Sequence, residues 1–178
     1  QYLAAEAGLE ILKQGANAVD AAIGTAACLT VVEPTSNGIG GDAFALIWFK
    51  NKLHGLNSSG PSPKAISGEL LREKGYQKIP DFGWIPVTVP GAPAGWVELN
   101  RKFGRLPLSE NILPAIKYAR EGFPVSPSVS YLWKEAYQGY SFYKNEEVFS
   151  YWFDTFAPQG RVPEPGELWK SLEQAKTL

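Results

Sequence analysis

Apolar residues at the start of the chain recur at helical spacing. Leu3, Ala7 and Ile11 fall on one face of a helix predicted over residues 3–14, and charged residues occupy the opposite face. Gly15 stands where a left-handed residue commonly ends a helix. The pattern therefore predicts an amphipathic helix that packs one face against the rest of the protein.

A second helix is predicted over residues 18–32, which are apolar on nearly all sides and rich in Ala and Gly. Asn17 followed three residues later by Asp20 resembles the capping arrangement that starts a helix, and Glu33-Pro34 ends it. A helix that is apolar all round is buried, and its small side chains let neighbouring elements approach closely.

Two short β-strands are predicted after this helix. Residues 44–49 are apolar at every position, which is typical of a strand covered on both faces. Residues 50–52 are predicted to form a hairpin turn, and residues 53–58 return as the second strand. Two helices followed by a doubly covered hairpin indicate a layered α/β architecture.

The remainder of the chain is predicted to be mainly helical. Helices are predicted near residues 66–74, over 93–103 and from residue 113 or 114 to 120, and a further helix starts after Pro165. The sequence contains no internal repeat, low-complexity segment or linker. We therefore expect residues 1–178 to form a single partial domain that is truncated at both ends.

Composition and charge narrow the class of protein. The 178 residues are 44% hydrophobic and 20% charged, which is typical of a folded globular domain. A net charge of −1 gives no reason to expect nucleic acid or an anionic membrane as a partner, and the longest apolar run is too short to cross a bilayer. One Cys and one His cannot form a disulfide, nor a zinc site from those residues alone. We expect no metal and no cofactor.

The glycine-rich stretch EPTSNGIGGDAFALIWF raises the question of a phosphate site. Gly38, Gly40 and Ala43 fit the G-x-G-x-x-G/A spacing of a dinucleotide-binding turn. Such a turn follows a strand and opens a helix, whereas here a helix precedes the glycines and a strand follows them. The partially negative end of that helix disfavours an anion. We predict instead that Gly38, Gly40 and Gly41 permit positive φ and a close backbone approach between helix and strand.

Single reactive residues do not assemble into an active site in this sequence. Cys28 lies in an apolar helix, where an inert core thiol is expected, and His54 lacks a nucleophile or Asp partner nearby, which favours a structural or surface role. Glu33 is either a partly buried carboxylate with a raised pKa or a helix-end carboxylate bonded to backbone amides. The aromatic-rich residues 131–156 form either core and interface packing or a ligand groove.

Four ordered segments of the chain resemble the γ-glutamyltranspeptidase family. The family's opening signature is similar to LAAEAGLEILKQGANAVDAAIGTAACLTVVEPTSNGIGGDAFALIW. The next three family segments resemble, in order, VTVPGAPAGWVEL, PLSENILPAIKYAREGFPVS and PGELWKSLEQAKTL. The resemblance spans nearly the whole chain and identifies it as the N-terminal part of the large subunit of a family member.

The resemblance implies a fold and a mechanism. The fold is part of the αββα sandwich of N-terminal-nucleophile hydrolases, helix-rich after the first hairpin. The precursor is expected to cut itself, so that a threonine at the new N-terminus of the small subunit becomes the nucleophile and its α-amino group the base. That threonine is expected outside residues 1–178, and no catalytic residue is assigned here. The implied reaction cleaves γ-glutamyl amides such as glutathione and passes the acyl group to water or an amine.

One substrate contact is implied for this region, an arginine that pairs with the α-carboxylate of the glutamyl group. The matching stretch is GLNSSGPSPKA, which has Ser58 or Ser59 at the arginine position. Members with acylase-like names carry the arginine after the glycine, where Pro61 stands. A serine cannot neutralise a carboxylate, although hydrogen bonds to charged groups are worth about 1.5–3 kcal/mol each. The predicted substrate-binding residues are Asn57, Ser58, Ser59 and Gly60.

Three functions are compatible with these features. The first is a hydrolase of γ-glutamyl amides, with hydrolysis favoured over transpeptidation because donor binding is weakened. The second is a glutaryl- or cephalosporin-acylase-like hydrolase, and the third is a catalytically inactive relative that binds or assembles with a partner. The expected partners are the remainder of the large subunit, the small subunit and a small-molecule substrate, with a dimer of heterodimers as a further assembly. Cytoplasmic and periplasmic or secreted locations are all compatible with the sequence.

Overall fold

The computed structural model describes all of residues 1–178 as eight α-helices and two two-stranded antiparallel sheets. None of the eight helices combines the length and the hydrophobicity needed to cross a lipid bilayer. In chain order the elements are α1 (Tyr2–Lys13), α2 (Ala18–Val32), β1 (Ala43–Phe49), β2 (Lys52–Ser58), α3 (Gly68–Glu73), α4 (Ala92–Phe103), α5 (Leu108–Glu121), β3 (Phe123–Pro124), α6 (Pro127–Ser141), α7 (Glu147–Phe156), β4 (Leu168–Trp169) and α8 (Leu172–Thr177).

The junction between α1 and α2 follows the sequence prediction closely. Gly15 has a φ of +86°, directly after the last residue of the α1 cap. The Asn17 side chain accepts hydrogen bonds from the backbone N–H groups of Val19 and Asp20, at 2.8 and 3.1 Å, and the Asp20 carboxylate accepts one from the Asn17 N–H at 3.1 Å. The predicted capping arrangement is confirmed, and it fixes the residue at which α2 begins.

Helix α2 is the buried centre of the helical layer and packs against both α1 and α5. Ala27, Cys28 and Val32 have no exposed surface, which confirms the prediction of a buried helix. Gly24 lies where α2 meets both neighbours, and a Cβ there would clash with the Ile11 side chain and stand 2.7 Å from the backbone oxygen of Asn111. Glycine at this position therefore sets the distance between the three helices.

The predicted hairpin is confirmed, with a turn of two residues rather than three. Lys50 and Asn51 have φ values of 49° and 59°, as a type I′ turn requires, and Phe49 pairs with Lys52 on either side of it. The half-buried face of β1 is formed by Ala43, Ala45 and Ile47, and this side of the hairpin packs on α4.

The opposite face of β1 is open, so the prediction of a strand covered on both sides is wrong within residues 1–178. The exposed fractions of Phe44, Leu46 and Trp48 are 64%, 80% and 69%. The sheet ends at β1, which pairs only with β2. The all-apolar pattern therefore belongs to a strand that has one covered face and one uncovered apolar face in this part of the protein.

The helices predicted near residues 66–74 and over 93–103 are confirmed as α3 and α4, and the second half of the chain is mainly helical as predicted. Helices α6 and α7 were not predicted individually, and the last helix begins at Leu172, after β4, rather than directly after Pro165. Helix α5 starts at Leu108, earlier than predicted, because Pro114 lies inside the helix instead of opening it. The aromatic residues of α6 and α7 pack mainly on one another. Tyr143 stacks on Phe149 with ring centroids 4.7 Å apart, and the core interpretation of residues 131–156 is confirmed by their network of ring contacts.

Candidate functional site

The glycine loop connects α2 to β1, so the order helix, loop, strand that argued against a dinucleotide site is confirmed. The predicted reason for its glycines is wrong. None of Gly38, Gly40 and Gly41 has a positive φ, and a Cβ on any of them would meet no heavy atom closer than 3.6 Å. Within residues 1–178 these positions are therefore not restricted to glycine by backbone strain or by crowding.

The loop instead holds the start of α4. The backbone oxygen of Gly41 accepts hydrogen bonds from the N–H groups of Gly91 and Ala92, at 2.9 and 3.1 Å. Gly91 caps α4 without any side-chain hydrogen bond, so these first N–H groups have no partner within their own helix. One carbonyl of the glycine loop thus supplies the cap that the sequence of α4 lacks.

Two of the predicted substrate-binding residues, Ser58 and Gly60, are held by the backbone before α4. The Ser58 hydroxyl donates a hydrogen bond to the Gly91 oxygen at 2.6 Å. Gly60 has a φ of +72°, and a Cβ there would clash with the carbonyl of Val89. The Val89 N–H donates to the Pro61 oxygen at 2.9 Å, which extends the contact. Ser58 and Gly60 therefore fix the end of β2, and the Ser58 hydroxyl is already engaged in a hydrogen bond.

The other two predicted residues, Asn57 and Ser59, are exposed. The Asn57 side-chain oxygen accepts a hydrogen bond from the Ser59 N–H at 3.1 Å. The Asn57 side-chain NH₂ group and the Ser59 hydroxyl have no hydrogen-bond partner in this part of the protein, so both can donate to a ligand. The role of all four residues in substrate binding stays a prediction, and this geometry favours Asn57 and Ser59 for it.

The segment around these residues is uncharged. No Asp, Glu, Lys or Arg occurs between His54 and Lys64. A carboxylate bound beside Asn57 would therefore receive hydrogen bonds from uncharged donors and no compensating positive charge from this segment. Such bonds are charge-assisted through the carboxylate, but they lack the ion pair and the bidentate geometry that an arginine provides.

Cys28 is buried in α2, and desolvation raises the pKa of its thiol to about 12. The thiolate is the reactive form, so the inert core thiol predicted from the sequence is confirmed by this environment. We expect iodoacetamide at pH 8 to leave Cys28 unmodified in the native protein and to alkylate it after unfolding in guanidinium chloride. Mass mapping of the Cys28 peptide measures this, and full alkylation of the native, still folded protein would contradict the prediction.

His54 packs against an aromatic ring, and Glu33 lies at the end of helix α2. The His54 ring packs edge-on against Phe103 with centroids 5.0 Å apart, in agreement with the structural role predicted for it. The Glu33 backbone, rather than its carboxylate, accepts the hydrogen bonds at the end of α2, from the N–H groups of Ser36 and Asn37 at 3.2 Å each. The Glu33 carboxylate therefore does not accept hydrogen bonds from backbone amides, and that prediction is wrong.

No group of three or more His, Cys, Asp or Glu residues comes together to hold a metal ion.

Asp20 is the most completely buried charge, and its partners were not predictable from the helix-capping pattern. Its carboxylate has no exposed surface and accepts hydrogen bonds from the Arg105 N–H and the Asn111 side chain, both at 2.9 Å, besides the bond from Asn17. Burial raises the pKa of Asp20, but these hydrogen bonds stabilise the anion more strongly, so the pKa lies below its ordinary value. The carboxylate joins α2 to the α4–α5 connection.

Known proteins are similar to this chain over nearly its whole length. The family model described as Gamma-glutamyltranspeptidase matches residues 4–178. A glutathione hydrolase-like proenzyme of Bacillus subtilis, YwrD, is 38% identical over 99% of this chain, which covers 33% of that protein. A glutathione hydrolase proenzyme of Pseudomonas aeruginosa is 39% identical over 68% of this chain. The chain thus spans about one third of the length of the Bacillus relative.

Two solved structures show the same arrangement of elements. Cephalosporin acylase from Bacillus halodurans superposes with a TM-score of 0.95 at 56% identity, over 98% of this chain and 33% of the acylase chain. Helicobacter pylori γ-glutamyltranspeptidase superposes with a TM-score of 0.85 at 32% identity, over 99% of this chain and 50% of the matched chain.

The helical layer on one face of a hairpin, with a polar segment at the hairpin's end, is part of an α/β enzyme fold of the N-terminal-nucleophile hydrolase class. That segment brings together no nucleophile and base of its own. The chain belongs to the γ-glutamyltranspeptidase family of hydrolases and acyltransferases.

Proposed function

We propose that residues 1–178 are the N-terminal part of the large subunit of a self-processing amidohydrolase that cleaves γ-glutamyl amides such as glutathione. The observation that carries the proposal is the family match over residues 4–178, combined with the absence of a nucleophile–base pair in this chain. The names of the relatives, glutathione hydrolase proenzymes, support both the substrate and the processing. The nucleophile is then a threonine freed by cleavage of the precursor and activated by its own amino group.

The contribution of this chain is to present the segment Asn57–Gly60 to the acyl donor. Ser58 and Gly60 hold the segment against the backbone before α4, and Asn57 and Ser59 offer free hydrogen-bond donors. Because the segment is uncharged, it binds a glutamyl carboxylate less strongly than an arginine would. Water is the expected acyl acceptor in preference to an amine.

Hydrolysis of a related acyl amide is the second candidate, and a specific observation favours it. The structure that matches this chain with a TM-score of 0.95 at 56% identity is named cephalosporin acylase. A glutaryl amide carries the same terminal carboxylate as a γ-glutamyl amide but lacks the α-amino group. Comparing turnover of γ-glutamyl and glutaryl p-nitroanilides by the purified full-length enzyme separates the two candidates.

Processing of the precursor tests the proposal directly. We expect purified full-length protein to separate into two chains on a denaturing gel, with threonine as the first residue of the smaller chain by N-terminal sequencing. Replacing that threonine with alanine removes the nucleophile and should leave the precursor as one chain of full length. A wild-type protein that remains uncut and inactive would overturn the proposal and favour the inactive relative.

A further inference from the structure

A backbone contact fixes the position of Val89 beside the predicted substrate-binding segment. The Val89 N–H donates a hydrogen bond to the Pro61 oxygen at 2.9 Å, and the Val89 carbonyl lies directly against Gly60. At the other end of the contact, the Ser58 hydroxyl donates to the Gly91 oxygen at 2.6 Å. The two stretches of chain therefore lie side by side and run in opposite directions, and Val89 is a direct neighbour of the segment.

The Val89 side chain is available for contact in this part of the protein. Val87 and Val89 are each 48% exposed, and neither belongs to the buried hydrophobic core. Pro90 follows Val89 and restricts its backbone to extended conformations. A branched, rotationally stiff side chain on a fixed backbone presents an apolar surface of constant shape. Such a surface is suited to contact an apolar part of a ligand.

Both sides of this contact are uncharged. No Asp, Glu, Lys or Arg occurs between Asp81 and Glu98, or between His54 and Lys64. An ammonium group placed against this surface would lose water and gain no acidic partner from either stretch, which is unfavourable. A methylene group in the same place loses no hydrogen bond, and its burial is favourable. The surface therefore discriminates by charge between ligands that are otherwise similar.

We infer that Val89 is a specificity-determining residue of the acyl-donor site and that it favours glutaryl over γ-glutamyl groups. With the donor carboxylate bound by Asn57 and Ser59, the carbon atom that carries the carboxylate lies next to Val89. That carbon bears an ammonium group in γ-glutamyl donors and only hydrogen in glutaryl donors. The inference rests on the proposed binding of the acyl donor by Asn57–Gly60, and it distinguishes between the two candidate donors.

Val89→Glu in the full-length, processed enzyme tests this role. We expect the ratio of kcat/KM for γ-glutamyl over glutaryl p-nitroanilide to rise about 10-fold or more, because the new carboxylate pairs with the ammonium group. Repulsion of the donor carboxylate affects both substrates and cancels from the ratio, as does any partial loss of folded enzyme. Val89→Gln offers an acceptor oxygen without a charge and should raise the ratio less. A ratio within about 2-fold of wild type in Val89→Glu would overturn the inference.

Val97→Glu is the matched control, since Val97 is an equally exposed valine, 52% exposed, on α4. It makes the same change of size and charge outside the contact with Gly60 and Pro61. The ratio should stay within about 2-fold of wild type in this variant. A rise as large as that of Val89→Glu would show long-range attraction of the ammonium group and would also overturn the inference.

Binding of the free acids separates this inference from the proposed function. Isothermal titration calorimetry of glutarate and L-glutamate with the full-length wild type and with Val89→Glu gives the same ratio without requiring turnover. We expect the wild type to bind glutarate and the variant to shift toward L-glutamate. An uncut, inactive protein that shows this shift would end the proposed function and support the inference. Failure of the wild type to bind either acid, or an unchanged preference in the variant, would overturn it.

Discussion

Replacing Asp20 with asparagine is expected to lower the free energy of unfolding of the full-length protein by about 3–5 kcal/mol. The carboxylate accepts hydrogen bonds from the N–H groups of Asn17 and Arg105 and from the Asn111 side chain. Hydrogen bonds to a charged group are worth about 1.5–3 kcal/mol each. In the variant, the asparagine NH₂ group replaces one carboxylate oxygen and faces N–H donors, so at least one of these hydrogen bonds is lost. Urea unfolding followed by tryptophan fluorescence measures the difference.

Asp154→Asn is the matched control, because Asp154 is exposed on α7 and makes no hydrogen bond or ion pair through its side chain. This variant should unfold within about 0.5 kcal/mol of wild type. A loss of less than 1 kcal/mol in the Asp20 variant would contradict the role assigned to the buried carboxylate.

The difference between wild type and the Asp20 variant also depends on pH in a defined direction. The folded pKa of Asp20 lies below its ordinary value, so the carboxylate form stabilises the fold above about pH 4. As the pH falls through the folded pKa, the wild-type residue becomes protonated and this stabilisation is lost. The difference in unfolding free energy should therefore be constant from pH 5 to pH 8 and should shrink below about pH 4.

The second large effect concerns the uncharged segment at the end of β2. We expect Ser59→Arg to raise kcat/KM about 10-fold or more for anilides of γ-glutamyl and glutaryl groups, both of which carry a terminal carboxylate. One charge-assisted contact is worth about 1.5–3 kcal/mol, and 1.4 kcal/mol corresponds to a factor of 10. The uncharged pentanoyl anilide, which has a methyl group in place of the carboxylate, should not be affected.

Ser62→Arg places the same charge three residues further along the exposed loop and serves as the control for non-specific attraction. Pro61→Arg tests the position used by family members with acylase-like names. If Ser59→Arg and Pro61→Arg both leave the ratio of charged to neutral donors unchanged, the segment does not contact the carboxylate. Measuring the full-length, processed enzyme keeps the comparison independent of folding of the isolated part.

The local structure of the first third of the chain could be predicted because its determinants are close in sequence. The cap at Asn17 and Asp20, the left-handed Gly15 and the turn after Phe49 each depend on residues within four positions. Interactions between distant residues were not accessible. The Gly41 carbonyl of the glycine loop accepts hydrogen bonds from N–H groups at the start of α4, about 50 residues away, and no local pattern encodes that partner.

The candidate site was predicted as a segment but not residue by residue. The sequence left Ser58 and Ser59 as alternatives for the arginine position, since both are small and polar. The structure separates them, because the Ser58 hydroxyl is bonded to the Gly91 oxygen and Ser59 is exposed. The double cover predicted for β1 is absent within residues 1–178, because the apolar pattern of a strand does not determine which elements pack on each of its faces.

The contacts between residues 58–61 and 89–91 make the chain between them a closed excursion. The Pro61 oxygen is bonded to the Val89 N–H, and Gly60 lies directly against the Val89 carbonyl. The two ends of this excursion are therefore neighbours, fastened by backbone groups that do not depend on the side chains in between. Within the excursion Phe82 packs on Tyr140 and Phe149, and we expect changes of length away from that contact to leave the end of β2 and the start of α4 in place. The fold thus provides a place where insertions and substitutions cost the rest of the molecule little.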